Sequence, residues 1–85
     1  MAKQLGLSRV SDIDLRLLRI FKVIVEAGGF AAAEVELNIS RAAISMAMGD
    51  LETRIGLRLC QRGRAGFSVS EAGQEVYQAI LQLLA

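Results

Sequence analysis

Between residues 41 and 70 five arginines (Arg41, Arg54, Arg58, Arg62 and Arg64) stand against two carboxylates, Asp50 and Glu52. Over all 85 residues, ten basic side chains nearly cancel nine acidic ones, leaving a formal net charge of +1. The positive excess is therefore local. A local cluster of guanidinium groups is anion-binding chemistry, and phosphate is the anion whose geometry it fits. The bland alternative is a solvated basic face. Residues that other chemistries need are missing. There is no histidine, which removes the commonest general base and the commonest metal ligand. The single cysteine, Cys60, excludes an internal disulfide and any cysteine-based zinc cluster. No Walker or GxGxxG loop is present, and no Lys sits where it would activate a serine. Neither an enzyme nor a bound cofactor is expected.

The elements that would position the arginines are readable from spacing. Residues 1–10 show no period and read as a loose arm. Ser11 or Asp12 caps a helix running to Ala27, and Ser11-x-x-Asp14 has the form of a capping box. Leu17, Leu18, Phe21, Ile24 and Val25 form its core stripe. Ile13 and Ile20 widen the apolar arc beyond what one small core needs. That surplus either meets a partner chain or packs under the arm or the last helix. Gly28-Gly29 ends the helix, since glycine takes the left-handed cap without strain. A short helix over Phe30–Leu37 follows, with Phe30, Ala33 and Leu37 inward. Asn38-Ile39-Ser40 is a turn of helix-turn-helix size, and Ser40 caps a third helix over about Arg41–Ile55. Ile44, Met48, Leu51 and Ile55 are its packing stripe, and Gly56 terminates it.

Beyond Gly56, residues 57–62 and 67–69 read as two short strands joined by Gly63-Arg64-Ala65-Gly66. Cys60 lies within the first, where a buried, inert thiol is the favoured reading. Ser70 caps a last helix whose apolar residues Val76, Tyr77, Ile80, Leu81, Leu83 and Leu84 cover a wide arc. The fold class is mainly α: a winged helix-turn-helix of three helices and a two-stranded β wing over 11–69, then a C-terminal helix over 70–85. No apolar run approaches a membrane span, and the first residues lack the core of a signal peptide, so a cytoplasmic protein with no membrane partner is expected.

In this arrangement the face of the third helix opposite its core stripe would enter a DNA major groove. That face carries Ala42, Ser45, Met46, Gly49 and Thr53, with Ser40 and Arg41 in or before the first turn. Arg41 has the geometry to pair with guanine O6 and N7, a contact worth roughly 1–3 kcal/mol of discrimination. Ser45 would bond a base edge or a phosphate, and Ala42 and Met46 would meet thymine methyl groups. Gly49 costs the helix about 1 kcal/mol relative to Ala, which either close backbone approach or simple tolerance explains. Asp50 should point away from phosphate or meet cytosine N4. Arg62 and Arg64 at the hairpin, with Arg54 and Arg58 upstream, suit phosphate or minor-groove contact. The G-x-x-G at 63–66 matches an RNA-clamping KH loop only superficially, because it joins strands rather than helices. From another class, the bare groove face and Asp50 also fit a winged-helix module that binds protein without specific DNA binding.

The succession Leu15-x-x-Leu18-x-x-Phe21, Gly29-Phe30, Ala33, Leu37, Ser40, Ala43-Ile44-Ser45, Leu51-Glu52, Gly56-x-x-Leu59, Arg62 and Ser70-x-Ala72-Gly73 resembles the N-terminal DNA-binding domain of LysR-type transcriptional regulators. The resemblance covers about residues 13–85. It implies sequence-specific duplex-DNA binding in a bacterial regulator, with the recognition helix over 41–55 in the major groove and the wing over 59–69 on the backbone or minor groove. The groove-facing residues would be Ser40, Arg41, Ala42, Ser45, Met46 and Gly49, with Arg62 and Arg64 on the wing. It also implies that the last helix is a linker pairing with its counterpart in a homodimer, or in a tetramer of a full-length protein. Val76, Tyr77, Ile80, Leu81 and Leu84, with Ile13 and Ile20, are then the dimerisation residues. A C-terminal effector-binding domain normally follows in such regulators; here the chain stops inside the linker helix, so a small-molecule effector would act only through that missing part. The chain departs from the family's pattern at several places. Arg41-Ala42 stands where Gln and Pro or Ser are usual. Met46, Ala47 and Gly49 replace the usual polar residues, Glu34 replaces the second of two alanines, and Cys60 replaces a Phe.

Overall fold

A computed structural model describes residues 15–63 and 66–84, with Arg62 and Gly63 described by their backbone alone. The loose arm, the cap at Ser11 or Asp12, Ile13 and Arg64 lie outside the described residues. The described chain forms α1 (Leu15–Ala27), α2 (Phe30–Leu37), α3 (Arg41–Ile55), β1 (Cys60–Gly63), β2 (Gly66–Val69) and α4 (Glu71–Leu83). None of the described helices is long and apolar enough to cross a membrane.

The first helix is the hub. It packs against α2, α3 and α4, and Leu17, Leu18, Ile20, Phe21 and Ile24 are buried along it. The predicted stripe is therefore nearly right, but Ile20 is a core residue and Val25 is only partly buried. Gly28 and Gly29 take positive φ and accomplish the break before α2. At the end of α2, Asn38 adopts the left-handed conformation (φ 56°) and its N–H bonds to the Glu34 carbonyl. Asn is among the few residues with a side chain that tolerates this geometry. The Ser40 hydroxyl then accepts a hydrogen bond from the Ala43 N–H at 3.1 Å, an N-cap worth about 1 kcal/mol. Three residues thus turn the chain from α2 into α3, as the spacing predicts.

The wing is shorter than the sequence implies. β1 begins at Cys60 rather than Leu57, and β2 begins one residue early, at Gly66. Leu57 is exposed, while Leu59 is fully buried. The reason lies in Glu52, whose carboxylate accepts from the N–H groups of Leu59 (2.8 Å) and Cys60 (3.3 Å). The Leu59 amide is committed to α3, and residues 57–59 form a link ahead of the strand that Cys60 opens. The strands pair antiparallel, Cys60 with Val69 and Gly63 with Gly66. Phe67 on β2 meets Phe30 on α2 edge to face, ring centroids 6.0 Å apart, a contact of about 0.5–1.5 kcal/mol beyond its buried area.

Ser70 couples the wing to α4. Its hydroxyl accepts from the Gly73 N–H (2.9 Å) and donates to the Arg58 carbonyl (2.7 Å), and its N–H bonds to the Leu59 carbonyl. Gly73 sits so close to the Leu59 carbonyl and to Val69 that no Cβ fits there. The glycine sets the distance between α4 and the start of the wing.

Candidate nucleic-acid interface

The third helix divides cleanly. Ile44, Ala47, Met48, Leu51 and Ile55 are buried, so Ala47 joins the four residues expected to pack. On the other side Ala42, Gly49 and Thr53 are exposed, Ser45 is half-buried at the margin, and Met46 is 76% exposed. A methionine so exposed has no packing role among the described residues. Nothing lies within 4 Å of where a Cβ on Gly49 would stand. No contact among the described residues therefore requires a glycine at that position. The face is almost uncharged and lined by small or flexible side chains.

Charge is placed around this face rather than on it. The Arg41 Nε donates to a Glu34 carboxylate oxygen at 2.7 Å, bridging α3 to α2 across the turn. Asp50 accepts from the Arg54 Nε at 3.0 Å, one helical turn further on. This resolves where Asp50 points: along the helix toward Arg54. Of the three clustered arginines whose side chains are described, Arg41 and Arg54 thus engage carboxylates. Arg58 is exposed and lines a hollow of about 230 Å³ with Ser45, Gly49, Glu52 and Cys60, between α3 and the wing. Cys60 is buried, as its place in an apolar strand predicts. The backbone of Arg62 pairs with Phe67 near the wing tip. Ser40, Arg41, Ala42, Ser45, Met46 and Gly49 lie together on α3 and its cap, and the hollow joins that helix to the start of the wing.

The residues expected at a dimer face separate into two groups. Ile20 (4% exposed), Val76 (7%) and Ile80 (0%) are core residues of the protomer. They have almost no surface left to bury, so association gains nothing from them. Tyr77, Leu81 and Leu84 remain partly accessible, and Leu83 is exposed. Tyr77 also holds α4 to α1, because its hydroxyl donates to the Glu26 carboxylate at 2.8 Å, while Lys22 bonds Glu26 at 3.0 Å. The Tyr77 hydrogen bond, then Lys22, hold the Glu26 carboxyl below its ordinary range, and the same bond raises the Tyr77 phenol.

Sequence reasoning passed over two carboxylates that have partners on other elements. Glu34 reads as a solvent-facing residue of a short helix, yet it grips Arg41. Glu52 reads as one acid at the end of a helix, yet it fixes the wing. The available signal was chemical: each acid lies seven residues from its partner across a helix end, too far for a helical i,i+4 pair but within reach once the chain turns.

The family profile described as bacterial regulatory helix-turn-helix protein, lysR family, matches residues 15–74. The HTH-type transcriptional activator BauR of Pseudomonas aeruginosa is 65% identical over 80 residues, which are 94% of this chain and 26% of BauR. A probable HTH-type transcriptional regulator, LrrA of Synechococcus elongatus, is 35% identical over 72 residues, 85% of this chain and 24% of LrrA. The chain thus spans about a quarter of the length of the curated relatives it matches. Among solved structures, the BenM DNA-binding domain in complex with the catB site 1 DNA superposes with a TM-score of 0.80 at 32% identity, covering 85% of this chain and 81% of that one. The CbnR DNA-binding domain in complex with DNA gives 0.80 at 30% identity, covering 85% and 83%.

Proposed function

The chain belongs to the LysR family of bacterial regulatory helix-turn-helix proteins, and from that membership we propose that it binds duplex DNA sequence-specifically, as a homodimer, in the bacterial cytoplasm. Its function is recognition of an operator and not catalysis. The α3 helix enters the major groove with Ser40, Arg41, Ala42, Ser45, Met46 and Gly49 toward the bases, and the wing, with Arg62 and Arg64, lies along the backbone. One observation carries this reading: α3 presents an open, uncharged face of small side chains, supported from behind by a continuous buried stripe. A groove admits such a helix deeply. The bare face, which also suited a protein-binding module, is here the complement of a base-pair surface. Solved relatives with a closely similar backbone hold DNA, which supports the same docking for α3.

Specificity then comes from few direct contacts. Arg41 supplies the one charged group able to make a bidentate base contact from the helix start. Met46 and Ala42 supply apolar contact to thymine methyl groups. The paired acids Glu34 and Asp50 are neutralised locally and do not oppose the phosphates strongly. Symmetry supplies the rest, since two copies read two half-sites about one helical turn apart.

Selection of the 85-residue protein against a pool of random-sequence duplexes tests the proposal. Enrichment of an interrupted inverted repeat is expected. Retention that falls with salt but enriches no sequence would reduce the domain to a backbone binder, and no retention at low salt would overturn DNA binding altogether.

A further inference from the structure

We propose that Glu34 is a positioning residue for base recognition: by engaging the Arg41 Nε it fixes which edge of the guanidinium meets the bases, and so sets the base preference at one position of the operator half-site. This rests on the reading of Arg41 as groove-facing.

The geometry is specific. The Nε–Oε2 distance is 2.7 Å, short and charge-assisted. A guanidinium offers guanine two edges, a side edge made by Nε–H with one Nη–H and an end edge made by the two Nη groups. Glu34 occupies Nε, which removes the side edge and leaves the end fork. The Arg41 side chain is 56% exposed and that of Glu34 only 32%, so the pair lies at the surface with the acid as its more covered partner. Both partners stand on helices. Glu34 is held in α2, where its carbonyl accepts from the Asn38 N–H at 2.8 Å, and Arg41 opens α3 directly after its Ser40 cap. Their separation is therefore set by the turn and not by flexible loops. Left alone, Arg41 would sample many rotamers, and its cation would sit unfavourably at the positive end of the helix dipole. Glu34 answers both problems, and its own charge is cancelled before it approaches phosphate.

Base preference is measured by fluorescence anisotropy on the selected duplex and its single-base-substituted versions, for the unaltered chain, Arg41→Ala, Glu34→Ala, Glu34→Gln and the double variant Glu34→Ala/Arg41→Ala. Arg41→Ala should flatten preference at one position. Glu34→Ala should lower preference at that same position by about two- to fivefold, the strength of an exposed ion pair expressed as a ratio. Glu34→Gln still offers an oxygen to Nε and should keep most of the preference. In the double variant, Glu34→Ala should add nothing to the Arg41→Ala effect. If Arg41→Ala changes no position, the groove reading of Arg41 fails and this proposal fails with it. If Arg41→Ala flattens a position while Glu34→Ala leaves it intact, sharpens it, or tightens all sequences alike, the positioning role alone is overturned. Thermal melts of each variant accompany the titrations, since a residue that only supported the turn would lower the melting temperature without moving base preference.

Discussion

At the scale of single residues, Gly49 and Arg41 show how a recognition face is made by withholding side chains as much as by placing them. Gly49 stands in the interior of a fifteen-residue helix, where glycine costs about 1 kcal/mol relative to alanine. Among the described residues, no neighbour occupies the space of its missing Cβ. Gly49→Ala should therefore raise stability by about 1 kcal/mol, a gain of about 4–8 °C in Tm for a domain this size. If α3 lies deep in the groove, the same change should weaken duplex binding several-fold. Calorimetry and a duplex titration read the two effects separately, and unchanged binding by a stabilised variant would show that α3 does not approach the DNA closely at this turn. The position of Gly49 on the face was legible from helical spacing alone. The partner of Arg41 was not, because a pair bridging two helices depends on the angle between them. It is notable that two residues departing from the family's pattern, Glu34 and Arg41, are bonded to each other.

At the scale of elements, the joint between α1 and α4 responds to pH in a way that can be worked out. Glu26 titrates below its ordinary value, chiefly because the Tyr77 hydroxyl donates to it and secondarily through Lys22. A depressed folded value means stabilisation that is present above the ordinary carboxylate range, about pH 4.3, and is lost as pH falls through the folded value. Tyr77 titrates above its ordinary value because it donates to Glu26, so its contribution holds below about pH 10 and is lost as pH rises through the folded value. Tyr77→Phe should thus lower Tm by a constant amount between about pH 5 and 9, and the difference from the unaltered chain should shrink toward both extremes. A difference that persists undiminished at pH 2 would mean that Tyr77 acts by packing and not through Glu26. The elements themselves were readable because their punctuation is chemical: Gly28-Gly29, Asn38, Ser40, Gly56 and Ser70 each do what their side chains permit. The wing start at Cys60 was not readable, because it depends on a tertiary partner, Glu52, which holds the amides of the link and leaves no mark on local periodicity. For Ile20 the apolar spacing left two outcomes open, a partner chain or the protomer's own packing, and only the packed core decides for the second.

At the scale of the whole molecule, α4 carries two adjacent stripes with different fates. Gly73, Val76 and Ile80 are spent on the protomer's own core. Tyr77, Leu81 and Leu84 follow one another at helical spacing on the next strip of surface and remain partly accessible. Leu81 is the cleanest probe, because it is absent from the set of residues packed on the core, whereas Tyr77 and Leu84 belong to it. If two copies pair along this strip, Leu81→Glu places a carboxylate in an apolar contact and should yield a monomer at micromolar concentration in sedimentation equilibrium, with its fold intact by circular dichroism. The DNA consequence follows from avidity. A dimer on two half-sites gains a second contact that is intramolecular, and this commonly strengthens binding by 10²–10⁴-fold without any new interaction. Leu81→Glu should therefore bind a full inverted repeat at least about 100-fold more weakly, while its affinity for an isolated half-site is unchanged. The salt dependence should change in parallel, because log K falls by about 0.9 per phosphate contact for each tenfold rise in salt, and a monomer makes half the contacts of a dimer. Equal loss on the full site and the half-site would place the damage in the recognition surface itself. Unchanged binding with unchanged mass would mean that the copies associate elsewhere, with the strip on α4 serving only its own protomer.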